Sequence, residues 1–510
     1  MPAHHPRPRA GPGRGRRVPA RRGRGPLRPG RRLVTFSQGV SLAVLVADVI
    51  IIVVLVPRVV AQRRESAATL AWVLSILLVP LAGAALFHLL GTRRLRWRQR
   101  RRARSRALFE ANAETLRTTL ASCKVEVATD RAALALARNF GVAPDDATVG
   151  NVVDLYHDGE EAFRALCQAV AGAQHYVHLE YYIFQDDETG RLLLSILTER
   201  ARAGVEVRLL VDALGSWTMR RHGSASELMT AGGQFASFLP LSVFSRPFSV
   251  NLRNHRKVVV IDGHVAFTGG MNIGDEYRSR DPRIGHWRDS HARVQGPAAL
   301  RLHEVFIEDW LFATGERVFG ERYLVAPEMP GDVVVEVIES GPDRTSETIY
   351  RRLFVAITRA ENRVWLTTPY FIPDQAILMA LATAAQRGVD VRLLLPGWSD
   401  QVLALYAGRA HYTELLRSGA RVYEYSPGML HAKTMVVDDQ WVTIGSANMD
   451  RRSFHLNWEA NLVLLDRGIN ADMARRFEQD LAHSTEIRSH RPRRLRRFGE
   501  AVCYVLSPLL

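Results

Sequence analysis

One nineteen-residue pattern occurs twice in this chain, and its residues keep the same order in both copies. The first copy is NHRKVVVIDGHVAFTGGMN at residues 254–272, and the second is LHAKTMVVDDQWVTIGSAN at residues 430–448. His255 and His431 are 176 residues apart. The same spacing separates Lys257 from Lys433, Asp262 from Asp438, and Asn272 from Asn448. A repeat in this register predicts a chain folded as two related halves.

Each copy predicts a β-hairpin. HRKVVVI and HAKTMVV are apolar, β-branched strands, DG and DD mark the turns, and HVAFTGG and QWVTIGS are the return strands. Alternate residues of a strand share a face, so the histidine and the lysine two positions later should point the same way. The return strand then brings the asparagine beside them, and glycines near its end let a ligand approach the backbone.

An imidazole, an ammonium and a carboxamide in each of two facing copies suit a phosphodiester. The lysines and asparagines can hold the anionic oxygens, while one histidine attacks phosphorus and the other protonates the leaving alcohol. Neither copy supplies three metal ligands at a usable spacing, so we expect no metal and no other cofactor. A single such histidine is often structural, but two copies that match at every motif position favour chemistry.

The use of lysine supports this interpretation. Only three of the 68 basic residues are lysine, namely Lys124, Lys257 and Lys433, and two of those three are in the repeat. Arginine serves wherever a positive charge suffices. Because the two side chains differ in shape and hydration, lysine at these positions indicates a need for a compact ammonium group.

The charge is unevenly distributed along the chain. Residues 1–110 contain 23 arginines and 3 acidic residues, and residues 486–510 contain 6 arginines and 2 acidic residues. The intervening residues 111–485 carry a net charge of −8. Basic ends next to apolar segments favour an anionic bilayer as partner, and the acidic middle argues against a nucleic acid.

Two apolar segments, Phe36–Val56 and Ala67–Leu90, are long enough to cross a bilayer. The alternative for the first segment is a cleaved signal peptide. Eleven arginines precede the first segment, three lie between the segments and nine follow within residues 93–106. This bias predicts a multi-pass protein of the cell membrane whose N-terminus and catalytic region are cytoplasmic.

The rest of the chain alternates helical and strand patterns, and GVEVRLLV in the first half matches GVDVRLLL in the second. These patterns predict an α/β protein with two repeated lobes. The predicted regions are a disordered Arg-rich tail (1–33), two transmembrane helices (34–92), a basic juxtamembrane and linker region (93–149), a first lobe (150–328), a second lobe (329–485) and a basic, partly apolar C-terminal segment (486–510).

The repeated motif, H-x-K-x4-D-x6-G-[GS]-x-N, resembles the signature of the phospholipase D superfamily. Further stretches closely resemble bacterial cardiolipin synthases of the phospholipase D type, among them GNVVDLYHDGEEAF, HWRDSHARVQGP and GSANMDRRSFHLNWEANL. The resemblance covers roughly residues 67–485 and part of the C-terminus. It implies two α/β sandwich lobes that share one active site, and phosphatidyl transfer between two phosphatidylglycerol molecules.

The resemblance also implies residue roles. His255 would be the nucleophile and His431 the general acid and then base, although the sequence alone leaves these two roles interchangeable. Lys257, Lys433, Asn272 and Asn448 would bind the phosphate. Asp262 and Asp438 complete the catalytic motif, but they lie at the turns, where we expect structural support.

A downstream carboxylate would orient each histidine in the family. The sequence suggests Glu459 for His431 and Asp289 for His255, with Glu276 competing for the latter role. Arg452 matches an arginine of the family, and the alternative interpretation is that it is a solvated surface residue.

Other functions remain open at this point. A hydrolase would pass the phosphatidyl group to water, and a sibling synthase would use another donor or acceptor. A catalytically dead membrane scaffold is disfavoured by the intact motif residues, and a nuclease by the acidic middle. The oligomeric state stays open.

Overall fold

The computed structural model describes residues 30–62, 66–88, 107, 147–240, 252–323, 328–343 and 348–506. The chain divides into two compact units, residues 1–93 and 94–510, and each is described by itself. Most of the predicted Arg-rich tail and of the juxtamembrane region lies outside the described residues, as do residues 324–327 near the end of the predicted first lobe.

The first apolar segment forms one long helix, α1 (Gly30–Val60). Its part Ser41–Val60 has a mean hydropathy of 2.7 and is long and apolar enough to cross a membrane. Twenty helical residues rise about 30 Å, which matches the hydrocarbon core of a bilayer.

The second apolar segment does not run as one helix. It forms α2 (Ser66–Leu78) and α3 (Pro80–Leu86), separated by Val79 at φ −141° and ψ 75°. The proline that follows disfavours helical geometry at Val79 and lacks a backbone donor. A Cβ added to Gly83 would lie 2.3 Å from the Ser75 carbonyl oxygen, so α3 folds back tightly against α2. Among the described residues only α1 is both long and apolar enough to span, and the second predicted span is not confirmed.

The second unit is built on one sheet of fifteen strands with helices on both faces, and its four other strands form two small sheets of two strands each. The strands of the first half are β1 (Ala147–Tyr156), β2 (Tyr176–Tyr181), β3 (Glu206–Asp212), β4 (Gln234–Phe238), β5 (Val258–Ile261), β6 (Val265–Gly269), β7 (His286–Arg288) and β8 (His291–Gln295). Those of the second half are β9 (Val333–Ser340), β10 (Arg363–Thr367), β11 (Phe371–Ile372), β12 (Asp390–Pro396), β13 (Arg421–Tyr425), β14 (Gly428–Leu430), β15 (Thr434–Val437), β16 (Trp441–Gly445), β17 (Met449–Asp450), β18 (Glu459–Leu465) and β19 (Ser484–Glu486).

The strand order repeats about the centre of this sheet. From the centre outward, the first half runs β1-β8-β6-β5-β2-β3-β4 and the second runs β9-β18-β16-β15-β10-β12-β13-β19. The central strands β1 and β9 pair antiparallel, with Thr148 opposite Val335. The predicted α/β fold with two repeated lobes is therefore confirmed, whereas the exact lobe boundaries stay predictions.

Helices cover both faces of the sheet. Those of the first half are α4 (Gly159–Ala171), α5 (Glu188–Arg202), α6 (Trp217–His222), α7 (Ser226–Thr230) and α8 (Pro297–Thr314). Those of the second half are α9 (Thr348–Arg359), α10 (Gln375–Gln386), α11 (Val402–Arg409), α12 (Tyr412–Ser418), α13 (Arg451–His455), α14 (Arg467–Ala482) and α15 (Arg494–Leu506). The nearly fully buried α8 and the inner face of α14 share one apolar core under both halves. Separate cores lie on the opposite face under α4 and α5, and under α9 and α10.

The two predicted hairpins are present as β5–β6 and β15–β16. The motif aspartate of each copy occupies the turn in left-handed conformation, with φ of 51° at Asp262 and 48° at Asp438. The Asp262 carboxylate accepts backbone N–H bonds of 2.8 Å from Gln174, His175 and Tyr176, at the start of β2. Asp438 accepts equivalent bonds from residues 361–363, at the start of β10. Each aspartate thus fastens its hairpin to the neighbouring strand, where charged acceptors form strong hydrogen bonds.

Candidate active site

Each motif histidine is held by the backbone of the other half of the chain. The His255 amide donates to the Trp458 carbonyl at 2.9 Å, and the Trp458 amide donates to the Arg253 carbonyl. In the same way, the His431 amide donates to the Arg288 carbonyl at 2.7 Å, next to the parallel pair of β14 and β7. Two backbone crossings, in which main-chain hydrogen bonds at Trp458 and at Arg288 join the two halves, therefore bring the two copies of the motif together.

These crossings set the partner of each imidazole. His255 Nδ1 lies 2.9 Å from Glu459 Oε2, and His431 Nδ1 lies 2.7 Å from Asp289 Oδ2. The pairing suggested by the sequence, Glu459 with His431 and Asp289 with His255, is wrong. Each carboxylate directly follows a residue that bridges to the opposite copy, so it reaches the histidine across the interface. A carboxylate on Nδ1 fixes the proton there and leaves Nε2 for a ligand.

The two carboxylates are themselves supported, but differently. The Ser446 hydroxyl donates to Glu459 Oε2 at 2.5 Å, and the Asn457 amide donates to Oε1 at 3.2 Å. At the position equivalent to Ser446, a Cβ on Gly270 would lie 2.0 Å from Asp289 Oδ1. The glycine–serine difference between the motif copies therefore matches the carboxylate that each must accommodate.

Both motif lysines are buried beside their histidines. Lys257 Nζ donates to the His255 carbonyl at 2.6 Å, and Lys433 Nζ donates to the His431 carbonyl. Burial lowers the pKa of Lys257 to about 7 and that of Lys433 to about 8, although nearby carboxylates oppose the shift. Both ammonium groups are thus poised to lose a proton near neutral pH.

The histidines and carboxylates have depressed pKa values. Burial lowers the pKa of His255 to about 4 against the opposing charge of Glu459, and burial together with Lys433 lowers that of His431. Burial alone would raise the pKa of Asp289 and Glu459, but interaction with the facing histidine, which includes a hydrogen bond to the carboxylate, and the nearby lysine ammonium bring both below the ordinary range. The imidazoles are therefore neutral and the carboxylates ionised at neutral pH in the unliganded site.

Both histidines and both motif asparagines line one cavity of about 380 Å³. Asn272 Oδ1 accepts from the Ile183 amide at 3.2 Å, whereas the buried Asn448 Oδ1 has no hydrogen-bond partner within the described part of the chain. The other lining residues are aromatic, cationic, acidic or apolar: Tyr182, Ile183, Arg253, Glu276, Tyr277, Ile284, Trp287, Tyr370, Ile372, Asp400, Gln401, Ala404, Asp450, Arg451, Arg452 and Asn457.

The remaining predicted residues are placed as follows. Arg452 and Glu276 line the cavity, and no hydrogen bond joins Glu276 to His255 among the described residues. The lysines contribute no cavity lining, and Asp262 and Asp438 are at the hairpin turns instead. The structure therefore brings together the histidines, lysines, asparagines and orienting carboxylates, but not the motif aspartates.

The chain also matches a known protein family and its members. Residues 166–310 and 353–481 match the family described as "Cardiolipin synthase, PLD-like domain". The chain is 39% identical over 458 residues to a cardiolipin synthase of Geobacillus kaustophilus, which covers 88% of this chain and 90% of the relative. It is 37% identical over 465 residues to cardiolipin synthase 1 of Bacillus anthracis, with the same coverage of 88% and 90%. This chain belongs to the phospholipase D-like cardiolipin synthase family.

The fold agrees with a solved structure as well. The phosphatidylserine synthase of Haemophilus influenzae superposes with a TM-score of 0.53 at 15% identity, over 70% of this chain and 92% of that one. At this identity the likeness concerns the fold alone.

Several cavity residues of this cardiolipin synthase family member were missed from the sequence. Tyr182, Arg253, Tyr370, Asp400 and Asp450 line the cavity. Arg253 and Asp450 stand two positions before a motif histidine and two after a motif asparagine, and this proximity was a usable signal. Tyr370 and Asp400 come from segments without a motif, and only the fold brings them to the site.

The pKa values of the lysines predict an alkaline limit to activity. We expect kcat/KM to fall as the pH rises through about 7 to 8, because both lysine pKa values are lowered and the ammonium charge is lost above them. A bound phosphodiester favours the charged form, so the corresponding fall in kcat should lie at higher pH. The measurement is the rate of lipid product formation from pH 5 to 10.

The matched control is Lys257→Arg, which retains its charge over this range. We expect much lower activity, because a guanidinium does not replace a compact ammonium, together with a weaker alkaline fall. An unchanged alkaline limb in both Lys257→Arg and Lys433→Arg would assign the limb to other groups.

Proposed function

We propose that this chain is a cardiolipin synthase, an enzyme that transfers a phosphatidyl group from one phosphatidylglycerol to a second and releases glycerol. The observation that carries the proposal is the pair of histidines, each with Nδ1 on a buried carboxylate, which line one cavity with both asparagines. Two groups of this kind suit a double displacement at phosphorus, in which one acts as nucleophile and the other transfers the proton.

In the first step His255 Nε2 attacks phosphorus, and the bond between phosphorus and the glycerol oxygen breaks. His431, protonated in the enzyme–substrate complex, gives its proton to that oxygen, so free glycerol leaves and a phosphatidyl-histidine remains. In the second step neutral His431 removes a proton from a hydroxyl of the second phosphatidylglycerol, whose oxygen attacks phosphorus and displaces His255. Cardiolipin forms, and both imidazoles return to their starting state.

The polar groups around the histidines support the transferring phosphate in this proposal. Lys257 and Lys433 place positive charge behind the imidazoles, and Asn272 and Asn448 offer amide donors at the cavity wall. The negative charge on the non-bridging phosphate oxygens would be stabilised by these donors, which need little reorganisation because they are buried and packed. Glu459 and Asp289 stabilise the imidazolium that forms at each histidine.

Transfer rather than hydrolysis is the expected reaction. Purified protein in phosphatidylglycerol vesicles should form cardiolipin and free glycerol in equal amounts, without added metal or another lipid donor. A bilayer keeps the acceptor lipid at the enzyme at high effective concentration, which favours its hydroxyl over water. Thin-layer analysis of labelled lipid together with a glycerol assay measures both products.

The His255→Asn/His431→Asn double variant is the control for this measurement. Phosphatidic acid as the main product would identify a hydrolase. An absolute requirement for a second phospholipid would retain the enzyme class and replace the donor or acceptor.

We also propose that the protein lies in the cell membrane with its catalytic region in the cytoplasm. The support is the apolar span of α1 and the cluster of nine arginines at residues 93–106. A tag after residue 106 should resist protease added outside intact cells, and a tag near Gln62 should be cleaved.

A tag at the N-terminus distinguishes two courses of the second apolar segment. Protection there is expected if α2 and α3 together cross the bilayer, which makes the protein multi-pass. Cleavage of the N-terminal tag, with protection of tags near Gln62 and after residue 106, would mean that α2 and α3 turn back within the bilayer. Cleavage of the tag after residue 106 would place the active site outside.

A further inference from the structure

The C-terminal helix α15 has an exposed apolar stripe. Leu495, Phe498, Val502 and Val505 are 84%, 67%, 40% and 73% exposed. Their spacing of three and four residues places all four on one face of the helix. Large apolar side chains that form one contiguous stripe mark a contact surface, whereas scattered ones are ordinary.

The opposite face of α15 is firmly docked on the protein. Glu500 is buried and bonds within the same segment, to His490 Nε2 at 3.0 Å and Arg496 Nε at 3.1 Å, and the His490 ring packs against the Tyr412 ring of α12 at 5.4 Å. The Tyr504 ring packs edge-on against the His411 ring at 5.2 Å, and Cys503 packs against the cluster that contains Ala404. The orientation of the helix is therefore fixed, and its apolar stripe faces away from the protein.

Basic residues surround the start of the stripe. Five arginines occur within seven residues, at positions 491, 493, 494, 496 and 497, and all five are exposed. Glu500 is the only acidic residue of α15, and it is buried toward the protein. A helix with an apolar face and an arginine-rich flank is typical of segments that lie in the interface of an anionic bilayer.

The stripe is connected to the cavity through α11. Helices α11 and α15 pack against each other. Gln401 and Ala404 at the start of α11 line the cavity, while Val402 and Leu403 beside them are exposed apolar side chains. Helix α11 thus carries both cavity-lining residues and exposed apolar side chains, and it packs against α15.

We propose that α15 and the first turn of α11 form a bilayer-contact surface that seats the cavity mouth on an anionic membrane. The partner is the lipid surface rather than a second copy of the chain, because the flanking arginines complement anionic headgroups and would repel their own copies across a symmetric contact. The link to lipid entry rests on the proposed function, whereas the contact with the bilayer does not.

The contact is tested with a local probe on the full chain. A polarity-sensitive fluorophore is attached to Phe498→Cys in a background where Cys123, Cys167 and Cys503 are serine, and the protein is reconstituted in phosphatidylglycerol vesicles. We expect nitroxide-labelled acyl chains to quench this probe by at least twofold. A probe on Met229→Cys, an apolar position on α7 whose side chain is 54% exposed, should be unaffected.

The outcomes separate the alternatives. Equal, weak quenching at both positions would overturn the proposal. So would cross-linking of residue 498 between two chains that persists in lipid, because a second copy would then cover the stripe. Quenching at residue 498 that weakens in phosphatidylcholine vesicles supports the role of the arginines.

A kinetic test links the surface to the cavity. The Leu495→Ser/Phe498→Ser double variant should lose about tenfold in kcat/KM on phosphatidylglycerol in vesicles, since each tenfold corresponds to about 1.4 kcal/mol of lost apolar contact. It should act normally on soluble dihexanoyl-phosphatidylglycerol, and Met229→Ser should act normally on both substrates. An equal loss of kcat/KM on both substrates would show that this surface does not seat the cavity on the membrane. No transfer by the unmodified chain on either substrate would refute the proposed function and leave the probe result standing.

Discussion

Replacement of either His255 or His431 with alanine is expected to lower the rate of phosphatidyl transfer by about 10⁴-fold or more. The double variant should be little worse than either single one, because groups that act as one unit give strongly non-additive losses. Both side chains line the same cavity, and each has its Nδ1 on a buried carboxylate. Transfer is measured as cardiolipin formed from phosphatidylglycerol vesicles.

The covalent intermediate distinguishes the two histidines. Denaturation during turnover with phosphate-labelled lipid should trap label on His255. Formation of the intermediate should be slow in His431→Ala, but any label that this variant acquires should persist on His255, because breakdown of the phosphatidyl-histidine lacks its base. Label on His431 alone would exchange the two roles without changing the reaction. Retention of more than a tenth of the normal rate by either alanine variant would refute the double-displacement mechanism.

The second large effect is expected at the orienting carboxylates. Glu459→Gln and Asp289→Asn should each lower transfer by about 10² to 10⁴-fold, because an amide does not stabilise the imidazolium and favours the wrong tautomer. Their separate roles can be tested with phosphatidyl-p-nitrophenol, whose leaving group departs without a proton. Label incorporation from this substrate measures the first step alone.

The crossed pairing predicts which variants this substrate rescues. Asp289→Asn and His431→Ala should form the intermediate at nearly normal rates, because both affect the acid that the substrate no longer needs. Glu459→Gln should remain slow, as His255→Ala does. The opposite result, rescue of Glu459→Gln and not of Asp289→Asn, would support the pairing within each copy. Glu276→Gln is the matched control, and it should change neither pattern.

The local parts of the site were predictable from sequence. The hairpins, the shared face of each histidine and lysine, and the supporting position of the turn aspartates follow from strand alternation and turn chemistry. The carboxylate partners were not predictable, because backbone crossings at Trp458 and Arg288 join segments 204 and 142 residues apart, as the His255–Glu459 and His431–Asp289 separations record. Proximity along the chain suggests a carboxylate from the same half as the histidine, whereas the fold places the carboxylate of the other half beside it.

Sequence also predicts the first apolar segment better than the second. Length and hydropathy correctly predict a long apolar helix for the first segment, and α1 meets the length and hydropathy that a bilayer span requires. The second segment passes the same composition test, but Pro80 interrupts it and Gly83 permits α3 to approach α2 closely. The mean hydropathy of a segment does not detect a turn that depends on two residues.

Each motif histidine pairs with a carboxylate from the other half of the chain, and this has a consequence for synthesis on the ribosome. When the first copy emerges, the outer edge of β1 lacks its partner β9, and His255 lacks Glu459, which follows 204 residues later. An unpaired strand edge is prone to wrong pairing, so the nascent first copy depends on prompt arrival of the second. The same delay leaves the site of the nascent chain incomplete, since His255 acquires its carboxylate only after both copies have been synthesised.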